Sequence, residues 1–277
     1  MRMKKTSRKQ LRSLRRRRLA LALVGAMAMP MMPAVAQSLP SGHVVVSGDP
    51  VIGSAGNQMT VTQTTKGAFI DWGSFNVGAR YGVTFDQQFG TTSVTLNRVV
   101  GTPGVSMING TLTSNGSVFI INPAGITFGS GSQVNVGGLI ASTLAISNAD
   151  FLSGLSSGQY RFSASSSDAG AIFNSGQLTA ADGGTIGLIG SYIDNSGTIT
   201  ANLGSVVFGA TSQVTLDFFG DGLTQVTVSG NGLGRSNCPL NCTGGVTSSG
   251  SVFARGGHIA MRSNTMDGLS AGNALFV

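Results

Sequence analysis

A repeat with a spacing of 21 residues is the feature that most limits what this chain can fold into. Residues 172–180 (IFNSGQLTA) return as residues 193–201 (IDNSGTITA), and each copy is followed, after a glycine, by a short apolar segment. The same order recurs at residues 109–120 and 249–261. A period of about 20 residues with short strands and glycine turns is typical of a solenoid in which each repeat forms one coil.

Short segments rich in β-branched and aromatic residues alternate with glycine, asparagine and aspartate after residue 40. They predict β-strands, for example at residues 58–62, 83–85, 117–121 and 225–228. The chain contains no glutamate and only 10% charged residues, whereas soluble helical proteins carry about 25%, with Glu and Lys prominent. We therefore expect no helix beyond residue 40.

A parallel β-helix accounts for this repeat. Each coil would send Leu, Ile, Val and Phe inward and Thr, Ser, Asn and Gln outward, and stacking would bury apolar faces that a single coil cannot bury. Leucine-rich repeats have a similar period, but the Lys and Glu of their helical segments are missing. A β-sandwich of evenly spaced short strands is the stronger competitor.

The first 36 residues predict a signal peptide with a long basic beginning. Ten of the 17 basic groups precede residue 19, residues 19–32 are apolar, and Ala34 and Ala36 favour cleavage before Gln37. A transmembrane anchor is the alternative, but the apolar run is shorter than the roughly 20 residues that a bilayer requires. Beyond residue 36, seven basic and ten acidic groups remain, so the net charge changes from +7 to −3. Nucleic-acid binding would require the arginine cluster to be retained.

Two cysteines, Cys238 and Cys242, lie four residues apart. Export to an oxidising compartment favours a local disulfide between them. A metal site is the alternative, but two thiols without a nearby His or Glu do not complete a tetrahedral shell. We therefore expect a disulfide and no bound metal.

Four segments follow one another between residues 61 and 144: residues 70–78 (IDWGSFNVG), 96–99 (LNRV), 108–112 (INGTL) with Asn115-Gly116, and 118–129 (VFIINPAGITFG). In this order they resemble the amino-terminal secretion domain of filamentous-haemagglutinin-like exoproteins of two-partner secretion. The last segment resembles the family's Asn-Pro-Asn-Gly-Ile signature, with Ala124 in place of the middle Asn. The segment LNRV resembles the signature of the adhesin and haemolysin branch. Further similarity at residues 150–152, 160–162 and 214–218 extends the resemblance over most of residues 43–260.

The resemblance implies a right-handed parallel β-helix over residues 37–277, with an amino-terminal β cap and small β-hairpin excursions. It also implies a partner, an outer-membrane β-barrel transporter whose periplasmic POTRA domains recognise the domain. The chain would pass through the periplasm and be secreted or stay at the cell surface. Strand addition to an exposed sheet edge is one mode of recognition.

The residues that match the family signatures are Asn97, Arg98, Asn122, Pro123, Gly125 and Ile126. We expect them to form turns that the partner recognises or that the first coils need. A purely structural role is equally open, because Asn and Gly tolerate left-handed turn conformations and Pro fixes φ.

The sequence shows no convincing catalytic constellation. Without Glu, acid/base catalysis must use Asp or His, and His43 and His258 are the two histidines; a solvated strand position is the simpler interpretation of His258. Two G-x-S-x-G matches, residues 154–158 and 268–272, do not stand between a strand and a helix as an esterase requires.

Two further features have structural explanations. Asp217 and Asp221 lack the spacing of an EF-hand and fit a hairpin that turns at Asp221-Gly222. Trp72 and Phe75 suggest a carbohydrate platform, but an aromatic pair at the start of a solenoid belongs more often to the core.

We therefore predict a non-enzymatic secretion domain without a cofactor, the amino-terminal part of a surface adhesin or haemagglutinin. Host cells or glycans are the expected partners of downstream regions, which would carry the effector activity. Two alternatives stay open, a secreted β-helical polysaccharide-active enzyme and an autotransporter passenger fragment. A truncated or degenerate gene product is also open.

Overall fold

The computed structural model describes residues 38–165, 169–218, 225–229, 245–263, 269–270 and 275–276. Three long sheets run along a parallel β-helix, and the consecutive strands within one coil belong to different sheets. Sheet A has eight strands: β1 Val44–Ser47, β4 Gly67–Trp72, β6 Val94–Val99, β9 Ser117–Ile121, β12 Gly138–Ser142, β16 Thr185–Gly190, β19 Ser205–Ala210 and β24 His258–Ser263.

Sheets B and C form the other two faces of each coil. Sheet B has nine strands: β2 Val51–Ala55, β3 Gln58–Gln63, β5 Gly82–Gln87, β8 Thr111–Ser114, β11 Gln133–Val136, β15 Gln177–Ala180, β18 Thr198–Thr200, β23 Ser251–Phe253 and β26 Leu275–Phe276. Sheet C has six: β7 Ser106–Ile108, β10 Ile126–Phe128, β14 Ala171–Asn174, β17 Tyr192–Asn195, β22 Val246–Ser248 and β25 Leu269–Ser270.

The repeat in the sequence is the register of neighbouring coils, which confirms the β-helix against the β-sandwich. Ile172 pairs with Ile193 between β14 and β17, and both are fully buried. Leu178 pairs with Ile199 between β15 and β18. The strands predicted near residues 58, 83, 117 and 225 are present as β3, β5, β9 and β21 (Gln225–Ser229).

Stacked glycines form the corners of the coils. A Cβ added to Gly197 would overlap the carbonyl oxygen of Gly176, and one added to Gly204 would overlap that of Gly184. The backbones of successive coils therefore approach more closely at these corners than any side chain would permit. This close approach explains why glycine accompanies every copy of the repeat.

The expectation of no helix is wrong, because Asn148–Ser157 forms helix α1. The hydroxyl of Ser147 accepts a hydrogen bond from the backbone N–H of Asp150, and Gly158 ends the helix in the left-handed conformation at φ 74°. Phe151 is fully buried against the aromatic rings of Phe69 and Phe119. Capping and burial of one aromatic side chain stabilise this helix without the charged residues that the composition argument required.

A second, smaller core lies on the outer face of sheet A. It is covered by α1 and by the antiparallel sheet D, which consists of β13 Gln159–Ser163, β20 Gln213–Asp217 and β21. The pairing of β20 with β21 confirms the predicted hairpin arms, whereas the predicted turn at Asp221-Gly222 lies outside the described residues.

The amino-terminal end of the β-helix carries two antiparallel strands. Strand β1 pairs antiparallel with β4, and β2 pairs antiparallel with β3, so each ends its sheet with an edge that no other described strand pairs. The valines of these strands are unusually exposed: Val44 by 63%, Val45 by 42%, Val46 by 39% and Val51 by 69%. Because Val44, Val45 and Val46 are consecutive, valine side chains are exposed on both faces of β1.

Candidate functional site

Asn122 organises the turn between β9 and β10. Its side-chain amide donates to the carbonyl oxygen of Gly104 and to the hydroxyl of Ser106, each at 2.9 Å, and its Oδ1 accepts from the backbone N–H of Ala124 at 3.0 Å. The backbone N–H of Gly125 closes the turn on the carbonyl oxygen of Asn122 at 3.0 Å. Asn122 is fully buried, so its side chain fixes this corner from inside the coil.

Gly125 completes the turn in a conformation that side chains rarely adopt, with φ +124°. A Cβ there would also lie 3.1 Å from the carbonyl oxygen of Ala171 on the next coil. The carbonyl oxygen of Pro123, in the same turn, accepts a hydrogen bond from the backbone N–H of Gly170 at 2.8 Å. Ile126 follows as a fully buried residue of β10, paired with Ile172.

Asn97 lies in the middle of β6, not in a turn as expected. It is fully buried and its register partners are Ile70 on β4 and Ile120 on β9. Its Oδ1 accepts a hydrogen bond from the indole N–H of Trp72 at 3.0 Å. The prediction of a turn at Asn97 was wrong. The residues that flank an asparagine do not show whether it lies in a turn or faces inward to bind a residue distant in the chain.

Arg98 points to the opposite face of β6 from Asn97. Its guanidinium forms a bidentate ion pair with Asp71 at 2.8 and 3.0 Å, and donates to Oδ1 of Asn148 in α1 at 3.0 Å. It also lies 4.5 Å from the ring centre of Phe69. Arg98 therefore links the first turn of α1 to sheet A. The signature residues Asn97 and Arg98 thus make stabilising contacts on opposite faces of β6.

A buried polar network that the sequence did not reveal lies beside these residues. Gln63, Gln87 and Thr95 are fully buried. The side-chain amide of Gln87 donates to the hydroxyl of Thr95 at 2.8 Å, and its Oε1 accepts from Ser114 at 2.6 Å. Asn115 exchanges two hydrogen bonds of 2.8 Å with the backbone of Gln87. Together with Asn97 and Asn122, this network concentrates internal polar contacts in the first coils.

The other candidate residues do not form a catalytic or metal site in the described part of the chain. Trp72 and Phe75 are 0% and 1% exposed, which excludes the carbohydrate platform and confirms a core role. His43 is exposed and lies 5.6 Å from Trp72 between ring centres, whereas His258 is half-buried on β24. Residues 154–158 form the end of α1. No group of three or more metal-ligating side chains occurs among the described residues.

Several predicted features lie outside the described residues. They are the signal-peptidase positions Ala34, Ala36 and Gln37, the cysteines Cys238 and Cys242, and Asp221. Within the described residues, no helix has the length and apolar character to span a bilayer.

Known proteins match part of this chain in sequence. Two heme/hemopexin-binding proteins of Haemophilus influenzae are 43% identical over 110 residues and 39% identical over 105 residues, which is 40% and 38% of this chain. The matches cover 12% and 11% of those relatives, so this chain corresponds to a small part of their length.

A solved structure extends the match to most of the fold. The HMW1 secretion domain from Haemophilus influenzae superposes with a TM-score of 0.68 at 31% identity, over 81% of this chain and 56% of that one. The family model of the TPS secretion domain, where TPS stands for two-partner secretion, matches residues 36–276. The chain therefore belongs to the TPS secretion domain family.

Proposed function

We propose that residues 37–277 are the export module of a two-partner secretion exoprotein. Residues 1–36 direct the chain to the periplasm and are removed before Gln37. The POTRA domains of an outer-membrane β-barrel transporter then recognise the module, which leaves the cell and stays at its surface or is released. Family membership supports this sequence of events. The module itself has no enzymatic activity, cofactor or metal in this proposal, and downstream adhesin regions contact host cells or glycans.

The observation that carries the proposal is the pair of sheet edges, β1 of sheet A and β2 of sheet B, that no other described strand pairs. Edge strands present free backbone N–H and C=O groups and accept a further strand from a partner. The exposed fractions of Val44 and Val51, 63% and 69%, are large for apolar side chains. A partner strand laid along either edge would pair the free backbone groups of that edge and reduce the exposure of its valine.

The buried signature residues have a different role in this proposal. Asn97 and Asn122 are both 0% exposed, so a transporter does not reach their side chains once the domain has folded. Their hydrogen bonds join neighbouring coils at the amino-terminal end of the β-helix. We therefore assign them to folding of the first coils, with Gly125 and Pro123 fixing the turn that Asn122 organises.

Secretion with a co-expressed transporter separates these two roles. A Val44→Lys/Val46→Lys variant places two charges on the edge, and we expect several-fold less chain in the medium because a charged edge resists strand addition. Leu152→Lys, on the exposed face of α1, is the matched control and should be secreted normally. Normal secretion of the double variant would contradict recognition at this edge.

Binding to isolated POTRA domains tests the buried residues. Asn122→Ala should accumulate as protease-sensitive chain while it still binds the POTRA domains. Loss of binding with normal protease resistance would overturn the folding role and assign Asn122 to recognition.

Mass spectrometry of the secreted chain tests the processing steps. We expect a mature chain that begins at Gln37. We also expect no alkylation of Cys238 or Cys242 before reduction, because the proposed disulfide protects both thiols. A retained Met1 or two alkylated thiols would contradict these assignments.

A further inference from the structure

A groove of about 230 Å³ lies where the outer face of sheet A meets α1 and sheet D. Phe119 of β9 lines it from the sheet, and Leu155 of α1 and Tyr160 of β13 line it from the covering layer. The exposed residues Lys66 and Thr92 stand at its rim. The groove is smaller than the roughly 300 to 1,000 Å³ of pockets for drug-sized ligands, so its ligand must be short.

Tyr160 is the unusual group in this groove. It is 4% exposed and packs edge to face against Phe119 and Phe218, with ring centres 4.9 and 5.6 Å apart. Its hydroxyl has no hydrogen-bond partner among the described residues and opens into the groove, where solvent reaches it. Burial raises the pKa of Tyr160, so the hydroxyl is a protonated donor at neutral pH. A ligand oxygen would satisfy this donor.

Lys66 gives the groove a positive charge. The ion pair that the described residues form joins Arg98 to Asp71, and Lys66 has no carboxylate partner among them. No acidic side chain lines this groove. The lining therefore combines the Lys66 cation, the Tyr160 hydroxyl and aromatic or aliphatic walls, with the hydroxyl residues Thr91, Thr92 and Ser117 completing it. One cation beside apolar walls, with no acidic side chain in the lining, fits an amphipathic anion.

We propose that this groove binds an aliphatic carboxylate of medium chain length. The carboxylate accepts hydrogen bonds from the Lys66 ammonium group and the Tyr160 hydroxyl. The alkyl chain lies along Phe119, Leu155 and Phe218 and removes their apolar surface from water. Binding uses the folded domain alone and does not depend on a transporter, so it can be tested separately from secretion.

Calorimetric titration of octanoate into the purified full chain tests the proposal. We expect one site per chain and clearly weaker binding of octanol, which has the same length without the charge. Lys66→Met and Tyr160→Phe should each raise Kd by roughly three- to tenfold, because each removes one contact to the carboxylate. Arg161→Met, which removes an exposed positive charge on β13 away from the groove, is the matched control and should leave Kd unchanged.

Filling the groove gives an independent test. Thr92→Trp at the exposed rim and Leu155→Trp in the covering layer should each abolish octanoate binding, with far-UV circular dichroism confirming the β-helix. If one variant does not fold, the other decides the outcome. Absence of binding at millimolar octanoate, equal affinity for octanol, or unchanged binding by a folded tryptophan variant would overturn the proposal.

Discussion

The indole N–H of Trp72 donates a 3.0 Å hydrogen bond to Oδ1 of Asn97, and both side chains are fully buried inside the β-helix. The amide of Asn97 also donates to the backbone carbonyl of Phe119 at 3.2 Å. One side chain thus links three successive strands of sheet A, β4, β6 and β9. Since an unpaired buried polar group is costly, these contacts specify the register of the first coils.

Asn97→Leu should lower the free energy of unfolding by roughly 2 to 3 kcal/mol, because the indole N–H of Trp72 and the carbonyl of Phe119 would lose their partner in the core. Urea denaturation followed by circular dichroism measures the change. Asn135→Leu, at an exposed position of β11, is the matched control and should change stability little. Equal effects of the two substitutions would contradict a special role for the Trp72 contact.

Gly125→Ala should destabilise the domain by roughly 1 to 3 kcal/mol, the cost of forcing a side chain into a sparsely populated backbone conformation. The φ of +124° and the 3.1 Å approach to the carbonyl oxygen of Ala171 both oppose a Cβ at this position. Gly104→Ala is the control, because no atom lies within 4 Å of its added Cβ. The same urea titration measures both, and a tolerated Gly125→Ala would show that the turn can relax.

Leu203→Gly should raise the free energy of unfolding by about 1 kcal/mol. Leu203 has φ 56° and is 60% exposed, so it bears left-handed strain with little burial in return. The corresponding turns at Gly183 and Gly256 carry glycine with φ 80° and 71°. Leu203→Ala retains the strain and should not gain stability, and thermal unfolding of both variants distinguishes strain from side-chain exposure.

Asp194→Asn should stabilise the domain at pH 7 and have little effect near pH 3. Burial raises the pKa of Asp194, and a hydrogen bond from Tyr192 opposes that shift. The stability that protonated Asp194 contributes is complete below its unfolded pKa of about 3.9 and is lost as pH rises through the higher folded pKa. Urea titrations at both pH values measure this, with Asp86→Asn on the exposed face of β5 as a control for charge removal. A larger gain at pH 3 than at pH 7 would contradict the sign.

The solenoid could be predicted because each coil repeats the same local pattern. Leu178 and Ile199 are 21 residues apart and become direct register partners, so a periodicity in the sequence is a contact in the structure. The resemblance also located the corner at Asn122 and Gly125 correctly, since a turn of this kind depends on residues adjacent in the chain.

Features that depend on distant partners could not be predicted in the same way. Asn97 is buried because Trp72 and Phe119 lie on neighbouring coils, and nothing in its flanking residues shows this. Helix α1 depends on Phe151 finding the outer face of sheet A. The exposure of Val44 depends on which surfaces the remainder of the chain covers. The local sequence cannot show this, because alternation of apolar residues predicts only a half-buried strand.

The antiparallel strands β1 and β2 make the two ends of the β-helix different. Parallel pairing continues from β4 and β3 toward higher residue numbers, while β1 and β2 occupy the other end. A coil that emerges later therefore finds its template on one side only and docks onto coils already in place. Each docking step removes more of the chain from solvent. Folding of the most recent coil therefore opposes movement of the chain back toward the side from which it emerged.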